Sequence, residues 1–441
     1  MVFSSIEFLY FFFPLFLLVY YLVPTKGKNF WLFAGSMVFY GIGSMKTPEH
    51  IVLFAASLIL NYLFGRGIEQ SGSKFVFGLG VGINVAYFCL FKYMLGILPI
   101  GISFYTFQAI SYLFDVWWKK CSAEKNFIHF GTYLSMFPQL IAGPIVQYPS
   151  ISEQIKNREY SFHEVMQGLQ VFILGLGSKV LLANQVGGLW SQLAVIGYES
   201  VSTPLAWMGI LAFTFQIYFD FWGYSLMAIG LGKMLGFELP KNFDHPYLST
   251  SMTEFWRRWH MTLGSWFREY VYIPLGGNRG SKGQVYRNLL IVWLLTGIWH
   301  GAGWNFVLWG LILFGLIAIE KAGLKQWLDK YRVLGHIYMA AVIPLSWVVF
   351  AHSDWQQLVL FFKRLFGQAA GNVFTLDYVK YGLEYGAYLL LCFLFITRIP
   401  QKVWAKIKDS YVGLTILAGI FVGVVYCLYI GLDNPFLYYQ F

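Results

Sequence analysis

About a dozen apolar stretches, each near the length of a membrane crossing, follow one another along this 441-residue chain with short polar intervals between them. A helix crosses a hydrocarbon core of about 30 Å with about 20 apolar residues. Stretches of that kind lie near 8–23, 29–43, 50–64, 75–95, 97–118, 128–146, 164–183, 204–221, 289–319, 333–351, 378–397 and 411–431. Their density leaves no room for an additional soluble domain. Composition agrees, since only 12% of residues are charged, against about 25% in soluble domains. Aromatic residues reach 20% and recur at the ends of the apolar stretches, as interfacial belts do. The chain is therefore expected to be an all-α polytopic membrane protein with about 11–13 membrane segments, some of them re-entrant. A disordered chain, a disulfide-stapled secreted fold and a nucleic-acid-binding domain are excluded. The 8–23 stretch has no basic flank before it and no small-residue cleavage site, so it reads as a retained span.

The net charge of +10 would suggest an acidic partner in a soluble protein; here it is topology. Cytoplasmic loops of membrane proteins are enriched in Lys and Arg. Lys402, Lys406 and Lys408 mark one inside loop, and Lys321, Lys325, Lys330 and Arg332 another, with the two stretches 333–351 and 378–397 between them. Lys26 and Lys28 place the first loop inside. The stretch 411–431 then leaves the cytoplasm and carries residues 433–441 outside.

Residues 233–287 hold eight basic groups against four acidic ones and belong at the cytoplasmic face. The 289–319 stretch after them is bounded by basic clusters at both ends, so a single crossing violates the charge rule. With Gly301-Ala-Gly303 at its middle, it suits a hairpin or two half-segments, with His300 at the apex. The pairs Phe137-Pro138 and Gly143-Pro144 similarly mark a broken or re-entrant segment buried inside protein.

Ionisable residues within membrane segments are functional candidates, and His300 is the first of these. Imidazole is the usual general base for a hydroxyl or thiol, and the flanking glycines allow another chain or a ligand to approach the backbone closely. A packing histidine is the alternative. Helical spacing across Glu254-Phe-Trp-Arg-Arg-Trp-His260 puts Trp256, Trp259 and His260 on one side with Arg257 and Arg258 beside them. That pattern suits either an amphipathic interface helix or an anion clamp, Arg matching phosphate and Trp an adenine ring. Pro274-Leu-Gly-Gly-Asn-Arg279 is either a turn or a glycine loop offering backbone N–H groups to phosphate. Asp220, at the end of an apolar stretch, is costly unless paired; a nearby Arg is the expected partner. Glycines 78, 80 and 82 suit helix packing. The four cysteines lie far apart without a CxxC pair and suit packing rather than metal or redox work.

Seven motifs together resemble the membrane-bound O-acyltransferase family, in its bacterial, alginate O-acetyltransferase-like branch. They are Leu98-Pro-Ile-Gly-Ile-Ser-Phe-Tyr-Thr-Phe-Gln108, Phe137-Pro-Gln-Leu-Ile-Ala-Gly-Pro144, Tyr218-Phe-Asp-Phe-Trp-Gly-Tyr-Ser225, Ala228-Ile-Gly-Leu-Gly232, Glu254-Phe-Trp-Arg-Arg-Trp-His260, Leu275-Gly-Gly-Asn-Arg279 and Gly297-Ile-Trp-His-Gly301. The resemblance implies one membrane-embedded domain over 1–441: N-terminal helices (1–230), a cytoplasmic and interfacial region (231–288), the histidine segment (289–320), and C-terminal helices with an extracytoplasmic tail (321–441). It also implies helices around a central tunnel and a place in the bacterial cytoplasmic membrane.

His300 matches the family's catalytic histidine and His260 its second. By the same resemblance acetyl-CoA is the cosubstrate, with no bound cofactor and no metal, and its binding residues are expected among Trp256, Arg257, Arg258, Arg279, Asp220 and Trp299. The expected partner is a secreted or membrane-anchored serine-hydrolase-like acetyltransferase acting on a polysaccharide acceptor. Phe436-Leu-Tyr-Tyr-Gln-Phe441 resembles a terminal motif, Phe-x-Tyr-x-x-Phe, in which Tyr438 aligns with the acyl-accepting tyrosine; an aromatic interface anchor is the other reading. The chain departs from the family pattern at Trp222 and Leu226, where Ser and Asp are usual. Alternatives to acetyl transfer are D-alanyl transfer to teichoic acid from a carrier protein, and a non-enzymatic role in polysaccharide export.

Overall fold

A computed structural model describes residues 1–369, 371 and 373–431; Tyr438 and its motif lie outside the described residues. Among the described residues the chain is helical, joined by turns and loops, with no strand. Seven helices are long and apolar enough to cross a membrane: Glu49–Ser71, Lys74–Met94, Phe162–Ile196, Thr203–Met234, Trp304–Lys330, Arg332–Ala351 and Tyr411–Tyr429. The number becomes eight if Asp377–Phe395 and Ile399–Ile407, bent by 75°, form one broken span. The protein is thus an all-α, multi-pass membrane protein.

Two of the apolar stretches missing from that set form helices too short to cross. The 97–118 stretch forms Ile102–Trp117, 16 residues that are almost all buried. Gly101 sets its start: φ there is +71°, a region that favours glycine, and an added methyl would lie 2.4 Å from the Leu140 carbonyl oxygen. The 128–146 stretch breaks at Met136 into Phe127–Ser135 and the single turn Phe137–Leu140. Residues 130–146 are buried throughout, which is where irregular backbone is tolerated at membrane depth. Hydropathy reports how apolar a stretch is, but does not separate a lipid-facing span from a short helix enclosed by protein.

By contacts the chain forms two compact units, Met1–Gly175 with Tyr224–Lys241, and Leu176–Gly223 with Asn242–Phe441. In the first, small residues and amides join helices, as expected where lipid removes the hydrophobic drive for helix association. The Asn61 and Asn84 side chains exchange hydrogen bonds of 3.1 and 2.7 Å between the first two long spans. Gly80 packs against Phe64 and Leu113, whereas Gly78 and Gly82 face open space. The Tyr20 and Tyr21 hydroxyls donate to the Leu235 and Met234 carbonyls, each at 2.7 Å, satisfying acceptors left over at a helix C-terminus. The second unit carries His300, His260 and the groups around them.

Candidate active site

A capping box starts the segment that carries His300: the Ser281 hydroxyl accepts from the Gln284 N–H and the Gln284 side chain accepts from the Ser281 N–H, satisfying two otherwise unpaired donors. Lys282–His300 then runs 19 residues, about 28 Å at 1.5 Å per residue. Residues 301–303 turn the chain and Trp304–Ile319 returns. Of the two forms expected, this is the hairpin. Glycines set how tightly it closes: a methyl on Gly297 would lie 2.4 Å from the Phe306 carbonyl oxygen, and one on Gly310 2.5 Å from that of Trp293.

His300 ends the first arm. Its Nδ1 lies 2.8 Å from the Thr296 carbonyl oxygen one turn back. A carbonyl only accepts, so Nδ1 carries the hydrogen and Nε2 the lone pair. Three rings enclose the imidazole, Trp299 at 4.7 Å, Trp309 at 5.0 Å and Phe350 at 5.5 Å between centroids. The result is a half-buried base held in one tautomer by its own helix and walled by apolar rings.

His260 is placed differently from the sequence expectation. No continuous helix carries 254–268: Met252–Arg258 ends, Trp259 is extended, and His260 adopts φ 44° and ψ 53° before Met261–Phe267 begins. Asn242 causes the break. Its backbone carbonyl accepts from the Met261 N–H at 2.9 Å. Its side-chain oxygen, 3.1 Å from His260 Nδ1, also accepts from the Thr262 hydroxyl at 3.0 Å and N–H at 3.3 Å. Such tertiary bonds override the helical spacing on which the amphipathic reading rested, and a left-handed histidine costs about 1–3 kcal/mol. His260 packs edge-on to Phe221 at 4.7 Å and faces Trp299 at 6.1 Å, so Trp299 touches both histidines. Burial, and then the charge of a protonated His300, hold His260 well below the ordinary histidine pKa.

The expected donor-binding residues are not all together. Trp256 is packed among tryptophans, with Trp293 at 5.1 Å, Trp309 at 5.4 Å and Trp347 at 6.4 Å, so its ring is not an open platform for adenine. Arg258 pairs with Glu254 at 2.6 Å. Arg257 and Arg279 are exposed. The Leu275–Arg279 loop is a turn: the N–H groups of Gly276, Gly277 and Arg279 bond to Ile273, Tyr272 and Gly276 carbonyls, and buried Asn288 donates to the Leu275 and Gly277 carbonyls. No row of N–H groups is left there for phosphate. Asp220 is paired with Lys179 at 2.7 Å, not with an arginine, and both side chains are buried. Trp222 stacks on Tyr218 at 5.4 Å.

Three groups escaped the sequence reading. Glu320, buried within an apolar helix, accepts from the Met252 N–H at 2.5 Å, the Thr253 N–H at 2.8 Å and the Thr253 hydroxyl at 2.6 Å. It thereby joins the return arm of the hairpin to the helix before His260. A lone acid directly after a sixteen-residue helix without a charged side chain was its signal, and Lys179, isolated in the 164–183 stretch, offered the same one. Asn242 carried no signal at all, because its role depends on a contact 18 residues away.

Residues 32–351 match the family model of MBOAT, the membrane-bound O-acyltransferase family. The chain belongs to the membrane-bound O-acyltransferase family. Probable alginate O-acetylase AlgI of Azotobacter vinelandii is 38% identical over 79% of this chain and 75% of its own. Peptidoglycan O-acetyltransferase of Helicobacter pylori is 32% identical over 83% and 80%, and teichoic acid D-alanyltransferase of Streptococcus thermophilus 28% over 53% and 59%. A membrane-bound O-acyltransferase needs a base for a hydroxyl, and the enclosed Nε2 of His300 has that chemistry.

Proposed function

We propose that this O-acyltransferase resides in the bacterial cytoplasmic membrane and moves an acetyl group from cytoplasmic acetyl-CoA to a secreted, serine-hydrolase-like partner that O-acetylates an exopolysaccharide or cell-wall polymer. The observation that carries the reading is the fixed tautomer of His300 among its enclosing rings, together with relatives named a probable alginate O-acetylase, at 38% identity, and a peptidoglycan O-acetyltransferase, at 32%. The weaker, half-length match to a D-alanyltransferase favours acetyl over D-alanyl.

In this reading the Tyr438 hydroxyl attacks the thioester carbonyl carbon and gives its proton to His300 Nε2. The C–S bond breaks, and the departing CoA sulfur takes the proton from His300. The acetyl-tyrosine then passes its acyl group to the partner's serine, which regenerates the phenol. Arg257 and Arg279, exposed and in no ion pair among the described residues, meet the phosphates of CoA; Arg258 is committed to Glu254 and Asp220 to Lys179. His260, held well below the ordinary histidine pKa, packs against Trp299. General-base assistance of this kind contributes typically about 10²–10⁴-fold, and apolar walls protect the ester from hydrolysis.

The test is the intact mass of the full-length protein after exposure to acetyl-CoA. One added acetyl group that disappears in Tyr438→Phe supports the relay. Full turnover of Tyr438→Phe with the partner present would sink it, leaving His300 to activate the partner's serine directly.

A further inference from the structure

Among the indole N–H groups in the second unit that are shut off from water, that of Trp347 reaches the Tyr247 hydroxyl, whereas those of Trp256 and Trp309 meet no hydrogen-bond acceptor among the described residues. Buried polar groups are nearly always paired, and an exception calls for a partner that arrives from elsewhere. Trp309 is the more telling of the two. Its side chain is 0% exposed, and its ring centroid lies 5.0 Å from that of His300 with the planes at 68°. It precedes Gly310, where a methyl would lie 2.5 Å from the Trp293 carbonyl oxygen, so the backbone that carries Trp309 is packed closely against the first arm of the hairpin.

We propose that the Trp309 indole N–H holds the acyl carbonyl oxygen, and the negative charge that develops on it, while the acyl group is transferred at His300. The inference rests on the acyl-transfer reading above and deepens it. His300 Nε2 can take a proton, but it does nothing for the charge on oxygen. A hydroxyl that donates to Nε2 sits next to the carbonyl carbon it attacks, and the oxygen on that carbon falls within reach of a ring 5.0 Å from the imidazole.

The attacking hydroxyl oxygen bonds to the carbonyl carbon, its proton passes to His300 Nε2, and the C=O pair moves onto oxygen, which accepts from Trp309 Nε1–H. When that pair returns, the C–S bond breaks and the thiolate takes the proton from His300. Indole is a donor only, so it does not compete with His300 for the proton as a second imidazole would. Preorganised donors in a dry site stabilise developing charge far better than water does. Phe350, with its ring 5.5 Å from His300 and 5.1 Å from Trp309, forms the apolar wall beside both.

Trp309→Phe keeps an apolar ring and loses only the N–H. With full-length protein and acetyl-CoA, the expected result is a fall in kcat for CoA release of about 10²–10³-fold, with KM and the pH dependence of kcat unmoved because His300 is untouched. The rate is referred to protein that shows a cooperative thermal transition, so a variant that misfolds is scored apart from one that is slow. Wild-type kcat in folded Trp309→Phe overturns the inference, as does the loss passing instead to Trp256→Phe. His300→Ala separates the two levels. If it releases CoA at the wild-type rate, the acyl-transfer reading fails; if it is inactive while Trp309→Phe is not, only the role of Trp309 fails.

Discussion

His300 and His260 each use Nδ1 to meet an oxygen, yet the two sites are built in opposite ways. His300 bonds to a backbone carbonyl of its own helix, four residues back, a partner that no side-chain substitution removes. His260 bonds to the side-chain amide of Asn242 across 18 residues and sits in a left-handed conformation that needs support from outside. His300 is half-buried at the turn of a hairpin, and His260 is buried with only 2% exposure. The difference separates a group that can meet a substrate hydroxyl from one that sets the position of its neighbours. Trp299 is in ring contact with both.

The comparison is broken most strongly at Asn242. In Asn242→Ala the amide oxygen that serves His260 and Thr262 is gone, and leaving a buried donor unpaired costs about 1–3 kcal/mol. A loss of roughly 2–3 kcal/mol in stability is expected, read by chemical or thermal unfolding in detergent, with slower transfer as Trp299 loses its support. Unchanged stability would mean that the His260 corner is not held as described.

A smaller effect sharpens the same contrast. Burial holds His260 well below the ordinary histidine pKa in the fold, while in the unfolded chain it binds a proton near pH 6.5. Its contribution to stability is therefore complete above that pH and is lost as pH falls below it, by about 1.4 kcal/mol per unit. Comparing unfolding of the wild type and His260→Gln between neutral pH and pH 5 isolates this slope. Equal slopes in the two proteins would show that His260 is protonated in the fold.

The class of fold and the hairpin were legible because they rest on patterns that survive in one dimension: apolar length, basic flanks, and glycines around His300. Resemblance supplied the family, and the family model and relatives bear it out. Helix ends were not legible, because Ile102–Trp117 and the broken 127–140 segment are as apolar as a lipid-facing span while being enclosed by protein. Around the site, the sequence grouped Trp256, Arg257, Arg258 and His260 by helical spacing, and Asn242 breaks that helix from outside. Asp220 was rightly expected to need a cation, but its partner is Lys179, 41 positions earlier in the chain and in another helix. Glu320 and Asn242 act through contacts that only folding creates.

The central claim is that acyl transfer runs at His300. It is tested most directly by single-turnover release of CoA from acetyl-CoA in wild type and His300→Ala, each shown to be folded. The expected result is a loss of about 10²–10⁴-fold in the variant. Release at the wild-type rate by folded His300→Ala would contradict it.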